Sequence, residues 1–222
     1  MPPLPVPTQL NSEMPPPIPG QAESRTSSVP PVERVAPGRY QLGQIQIDKT
    51  DRTVSFPAEL NMDQGLLEYL LVRSGGKTHE SLLRTRTEPY HLQLACLLLG
   101  LEGSKAPLTL QGAPELPTGD QVEISLRLAD GRTVSSEQWM MHSIEGARRE
   151  VPKVSWVFTG SRINNGNFAA QAEGSIIAVY HDPAAMIDNA SPGGETDKIW
   201  HVREGATPPV GTPVTVVIKA VK

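Results

Sequence analysis

Two imidazoles and a carboxylate, His79, Glu80 and His91, are the closest approach in this sequence to a metal-ligand set. Imidazole nitrogen with carboxylate oxygen suits zinc or non-haem iron. His79 and Glu80 fall on an expected strand, so their side chains should point to opposite faces and could share an ion only through a bulge. His91 falls in the opening turns of an expected helix, and the short link 84–87 between strand and helix should bring it towards His79. The plainer role, preferred here, is structural: His79 and Glu80 hydrogen-bond the edge of the helix and fix the strand against it. Ser81 shares a strand face with His79, a nucleophile–base spacing, but no third residue is placed to orient the pair.

A second set of oxygen ligands, Asp182, Asp188, Asn189, Glu195 and Asp197, surrounds the acidic, glycine-containing stretch ASPGGETD at 190–197. Calcium takes about six to eight oxygens, and carboxylates on a flexible loop can supply them. The spacing does not match an EF-hand, and the plainer reading is a solvated loop with Asp188-Asn189 ending a short helix. Trp200 and His201 could wall a ligand, although a half-buried strand tryptophan is commoner. Cys96 reads as a buried small hydrophobe with a raised thiol pKa. GxSxG, Walker, HExxH and CxxC motifs are absent, as is GxGxxG after a strand, so no catalytic residue is assigned and the chain reads as non-catalytic.

The elements that must position these groups are mostly strands. LGQIQIDKTDRTVSFP (42–57) alternates apolar residues around a turn at 49–52, and QVEISLRLADGRTVSSEQWM (121–140) does so around Ala129-Asp130-Gly131. LLEYLLV (66–72) and KTHESLL (77–83) flank Ser74-Gly75-Gly76 and predict a tight hairpin. KVSWVFTGSRI, NFAAQAEGSIIAVYHD and TPVTVVIKAV add strands, with a turn at Asn164-Asn165-Gly166. PAAMIDN (183–189) reads as one or two helical turns with Pro183 at the first position. One substantial helix is expected at 87–100, with Thr87 as N-cap, Pro89 in the first turn and Gly100 or Gly103 as the stop. Its leucines cover almost the whole circumference, which predicts burial on several sides and a place at the centre of the core. These patterns predict an α+β domain, strand-rich, with a mainly antiparallel sheet or sandwich packed around that apolar helix.

Composition sets the outer limits. Residues 1–38 hold 11 of the 22 prolines and no aromatic residue, which predicts a disordered, Pro-rich tether before a globular domain at 39–222. A net charge of −4, mixed along the chain, and only 5% aromatic residues argue against nucleic acid, which needs clustered Lys/Arg and stacking platforms. The longest apolar run, LACLLLGL, is far short of the ~20 residues that span a bilayer. No export signal is visible at Met1, so either the chain is cytoplasmic or a signal or membrane tether lies upstream of Met1. The tether directly before a folded domain favours the exported reading.

Several segments carry a family resemblance: GLLEYLLV (65–72), GKTHESLL (76–83), HLQLACLLLGL (91–101), VFTGSRI (157–163), GSIIAVYHDPAAMIDN (174–189), DKIWHV and PPVGTPVTVVI. Through them the chain resembles the YdjY-type domain, a bacterial family usually found in exported proteins and without an assigned activity, over roughly residues 40–220. The resemblance implies a periplasmic or cell-envelope address. Some relatives carry ferredoxin-type iron–sulfur motifs, but a cluster normally needs four thiolates and Cys96 is the sole cysteine, so no cluster is expected here. The expected function is a non-catalytic exported module that binds a protein or small ligand of the envelope. A metal-binding protein or metal-dependent enzyme built on His79, Glu80 and His91 is the alternative, and a structural part of an envelope assembly is a third.

Overall fold

The computed structural model describes residues 29–144 and 146–221. Its strands are β1 (Val32–Ala36), β2 (Arg39–Leu42), β3 (Ile45–Asp48), β4 (Thr53–Leu60), β5 (Tyr69–Arg73), β6 (Ser81–Thr85), β7 (Asp120–Leu128), β8 (Thr133–Ser135), β9 (Met140–Ile144), β10 (Ala147–Glu150), β11 (Trp156–Phe158), β12 (Ile163–Asn164), β13 (Asn167–Phe168), β14 (Ser175–Ala178), β15 (Ile187–Asn189), β16 (Trp200–Val202) and β17 (Pro213–Ala220). The α-helices are α1 (Pro89–Leu99) and α2 (Ala169–Glu173).

Eight strands close on themselves in the order β4-β17-β7-β11-β15-β14-β5-β6, and β6 pairs back onto β4. Two seams, β14–β15 and β5–β6, are parallel, and the other six are antiparallel. The expected sheet or sandwich around a helix is therefore corrected to a closed, mixed β-barrel. Alternation along each strand was legible, and it fills the barrel: Val54, Phe56, Ala58 and Leu60 of β4, Val122, Ile124 and Leu126 of β7, and Val214, Val216, Ile218 and Ala220 of β17 are all buried. Closure depends instead on β4 having two partners along one edge. Its first residues pair with β3, and Glu59 and Leu60 pair with Arg84 and Leu83 of β6. Pro57 sits at the handover. Its carbonyl accepts the Thr85 hydroxyl at 2.6 Å, so its missing N–H falls where neither strand needs a donor.

Beyond β4 the sheet continues as β3, β2 and β1. β1 lies within the stretch that composition assigns to the tether, so among the described residues strand structure begins at Val32, ahead of residue 39. The tether reading of residues 1–28 lies outside the described residues. A separate sheet of β10, β9 and β16 flanks the barrel, and β12–β13 form the hairpin expected at 164–166.

α1 also departs from expectation. Pro89 is at its start and Gly100 ends it with φ 95°, but the N-cap is Glu88, without a side-chain cap bond, and not Thr87. The Glu88 carboxylate instead pairs with Arg73 at 2.8 Å and accepts Gln171 Nε2 of α2. The helix rests on β3, β4 and α2 and buries a single stripe of His91, Leu92, Ala95, Cys96 and Leu99, spaced by three or four residues. Leu97 is 50% exposed and Leu98 40%, so the helix is not enclosed. Leu92→Ala should cost about 2–5 kcal/mol in denaturant unfolding, whereas Leu97→Ala and Leu98→Ala should each cost under about 1 kcal/mol.

Candidate functional site

Gly75 and Gly76 turn the chain, but not into the expected hairpin. β5 and β6 run parallel, with Tyr69 opposite Ser81 and Leu71 opposite Leu83. Parallel neighbours usually need a crossover of about a dozen residues or more. Here residues 74–80 suffice, because the chain doubles back and makes one 3₁₀ turn at Thr78–Glu80. Gly76 allows this, since a Cβ there would lie 3.0 Å from the Glu173 carbonyl and 3.3 Å from the Gly174 Cα.

The fold-back lays 77–80 along the start of β5. The Glu68 N–H donates to the Glu80 carbonyl at 3.0 Å. Lys77 Nζ lies 5.0 Å from the centroid of the Tyr69 ring and donates to its hydroxyl at 2.7 Å. The Tyr69 hydroxyl donates in turn to Asp182 Oδ2 at 2.7 Å, and Asp182 Oδ1 accepts the Ala184 N–H at 2.8 Å. Gln111 Nε2 donates to Glu68 Oε2 at 3.2 Å. Tyr69 is fully buried, and burial, followed by the Asp182 carboxylate, pushes its hydroxyl far up, so it stays a proton donor to Asp182. Partial burial and the neighbouring Glu80 carboxylate push the Glu68 carboxyl up; Lys77 opposes them and Asp197 adds to them. The Tyr180 hydroxyl is raised by burial and then by Asp197 and Glu68. Glu68, Lys77, Glu80, Gln111, Tyr180 and Asp197 thus form one polar rim over the Tyr69–Asp182 pair.

A buried polar knot lies beside Asp182 in the chain. His181 is wholly enclosed, with Nδ1 2.7 Å from the Ala113 carbonyl and Nε2 2.8 Å from the Asn189 carbonyl. A neutral ring can donate to one of these, the doubly protonated ring to both. Asp188 accepts the Asp182 N–H at 2.9 Å and the Asn189 N–H at 2.8 Å; burial pushes its carboxyl well up, and those two donors work against the shift. Gly194 packs onto the imidazole so closely that a Cβ would lie 2.3 Å from Nε2, which explains a glycine in that loop.

The sequence-predicted residues are only partly brought together. His79 and Glu80 approach, Nε2 to Oε2, at 3.4 Å, but the His79 side chain is 78% exposed. His91 is buried on α1, edge-on to Tyr90. The Ser81 hydroxyl donates to the Leu83 carbonyl, which leaves no nucleophile–base pair with His79. Asp188 and Asn189 lie in β15 and end no helix, because 183–186 is a turn leading into that strand. Glu195 accepts the Gly193 N–H at 2.9 Å, and Asp197 faces the rim, so the acidic set does not converge. Among the described residues no group of three or more His, Cys, Asp or Glu side chains is placed to hold a metal ion. Trp200 is buried, with its indole N–H on the Gly193 carbonyl, and burial pushes the enclosed Cys96 thiol up to about 12. Sequence reasoning missed Glu68, Tyr69, Lys77, Gln111, Tyr180 and His181. Lys77 lies inside the GKTHES stretch and Tyr180-His181 directly before Asp182, so proximity to candidate residues was the available signal.

A closed mixed β-barrel with a polar, partly buried rim is the class of protein that this fold and site define. The family model of the YdjY domain matches residues 45–219, from the start of β3 into β17, and the chain belongs to the YdjY domain family. Comparison with curated proteins and with solved structures finds no match. No helix among the described residues is long and apolar enough to cross a membrane.

Tyr69→Phe would leave Asp182 Oδ2 buried without its donor and should cost about 1–3 kcal/mol in chemical unfolding. Glu68 gives a pH test. Its folded value is raised above the ordinary 4.5, so its contribution to stability is present below that value and is lost as pH rises through the folded one. Glu68→Gln should therefore match the parent melting temperature near pH 4 and exceed it by about one or two degrees at pH 7, a gain limited by solvent screening.

Proposed function

We propose that this chain is a non-catalytic binding module of the cell envelope that takes a ligand bearing a positively charged group at the Glu68–Lys77–Glu80 rim. The observation that carries this reading is the gathering of the half-buried Glu68 with Glu80 and Asp197 around Lys77; burial first, and then Glu80, push the Glu68 carboxyl up. Like charges kept together cost free energy, and a cationic group would relieve that cost. The rim is also pre-organised, since Lys77 and Tyr69 are fixed by the hydrogen-bonded run into Asp182. Loops at the mouth of a barrel are a common place for ligands. The Pro-rich composition before the barrel and the family resemblance support the envelope address. The contact between His79 and Glu80 supports the second reading, a divalent metal on those two side chains without His91.

Thermal-shift and calorimetric titrations with arginine ethyl ester, zinc and calcium separate the two. The ester should raise the melting temperature, and Glu68→Gln and Glu80→Gln should each weaken it about tenfold, the equivalent of about 1.4 kcal/mol. A zinc response lost in His79→Ala and unchanged in Glu68→Gln would transfer the function to the metal reading. No response to any of the three would refute both.

A further inference from the structure

The outer wall of the barrel carries a cleft of about 450 Å³ that shares no residue with the rim. Along β7 and β17 the side chains that point away from the barrel interior, Glu123, Ser125, Val217 and Lys219, form one side of it. Val151, Lys153 and Val154, from the link between β10 and β11, lie opposite, and Glu137 and the buried Trp156 are also among the lining residues. The volume falls within the range of about 300–1,000 Å³ typical of small-molecule sites.

Charge pairing shows what the cleft leaves open. Six charged side chains line it: Glu123, Glu137, Glu150, Lys153, Arg203 and Lys219. Lys153 pairs with Glu123 and Arg203 with Glu150, which leaves Glu137 and Lys219. Neither has an ion-pair partner among the described residues. Glu137 is nonetheless held in place by neutral donors. The Trp156 indole N–H and the Val154 N–H both reach Oε1 at 3.2 Å, and the Ser136 hydroxyl donates to Oε2 at 3.3 Å. Oε1 has used its acceptor capacity, while Oε2 keeps room for another donor. The carboxylate is thus oriented in advance and lacks a cationic partner, an arrangement that lowers the ordering cost of binding an ammonium group.

We propose that this cleft binds a small zwitterion of the ω-amino-acid class. Its ammonium group sits on Glu137 Oε2, its short apolar stem lies along Val151, Val154 and Val217, and its carboxylate meets Lys219. A plain carboxylic acid would bring its head group towards the Glu137 charge, which Lys153 offsets without contact, and a plain amine would leave Lys219 without a carboxylate in contact.

The test is calorimetric titration of the full chain with 6-aminohexanoate, hexylamine and hexanoate, with indole fluorescence followed in parallel because Trp156 lines the cleft. 6-Aminohexanoate should bind with Kd below about 1 mM, hexylamine about tenfold more weakly and hexanoate more weakly still. Glu137→Gln, which keeps an amide oxygen for the Val154 and Trp156 donors, should weaken 6-aminohexanoate at least about tenfold. Lys219→Met should abolish its advantage over hexylamine. Val217→Trp fills the cleft from the β17 side without touching the bonds to Glu137, and it should block binding even if Glu137→Gln fails to fold. Hexanoate binding as tightly as 6-aminohexanoate, binding that survives Val217→Trp when combined with Glu68→Gln/Glu80→Gln, or no heat from any of the three at about 10 mM would overturn the proposal. Because the rim also takes ammonium groups, the titrations are repeated in Glu68→Gln/Glu80→Gln, where rim binding is weakened and cleft binding should persist, so failure of the cleft and failure of the rim are separately visible.

Discussion

β6 must satisfy two neighbours at once. One edge pairs in parallel with β5 and the other antiparallel with β4, and the second pairing closes the barrel. Because only residues 74–80 link β5 to β6, the parallel arrangement forces the chain back along β5 before β6 can begin. That return path puts Lys77 over Tyr69 and the Glu80 carbonyl on the Glu68 N–H. Barrel closure and rim chemistry therefore have one cause. An antiparallel hairpin, the usual outcome for two strands so close in sequence, would have sent β6 the other way and taken Lys77 from Tyr69. The far ends of the two strands are tied as well. Arg73, at the end of β5, pairs with Glu88, which leads out of β6 into α1.

The polar knot around His181 answers a different need. Residues 101–119 run without a named strand or helix, and so long an irregular stretch has little to hold it unless something else does. The His181 ring reaches the Ala113 carbonyl, and the Gly112 N–H donates to the His181 carbonyl at 2.9 Å. On its other side the ring reaches Asn189 of β15, and the His181 N–H donates to Gly194 at 2.7 Å. One enclosed histidine thereby binds two irregular segments to the barrel. Burying His181, Asp182, Asp188 and Asn189 is costly, and it is tolerable because their polar atoms meet partners. The return is a defined position for the loops beside the rim more than net stability, since a buried polar network seldom outperforms an apolar core.

Alternation and turn chemistry made most strands legible, including the turns at 49–52, 129–131 and 164–166. Closure was not legible, because no local pattern tells that Thr53–Ser55 and Glu59–Leu60 hand one edge to different partners. The helix misled for a related reason. A run of leucines shows what could be buried, but the neighbours decide how much is, and β3, β4 and α2 offer α1 one face. Residues 183–189 were ambiguous in principle, since a short apolar run fits a helical turn or a buried strand equally well. At the site, the parity argument for His79 and Glu80 assumed a strand where the chain makes a 3₁₀ turn. GKTHES was the right segment, and its residue nearest the buried chemistry is Lys77.

The filled barrel limits where any ligand can go. Eight strands enclose a space just wide enough for side chains or for one small ligand. Here Phe56, Leu60, Ile124, Leu126, Val216 and Ile218 project inward, are at most 3% exposed and join one continuous core. The interior is therefore structural, and recognition falls to groups that the wall displays outward or that loops carry over its mouth. The family match covers β3 through most of β17, so the unit it describes is the closed wall with its rim, while β1 and β2 extend this chain's sheet beyond it. Both the rim and the outer cleft draw their charged groups from strand ends and connections. A barrel filled with side chains can hold such groups in positions that solvent alone would not favour, and at Glu68 burial, followed by the neighbouring Glu80, pushes the carboxyl up.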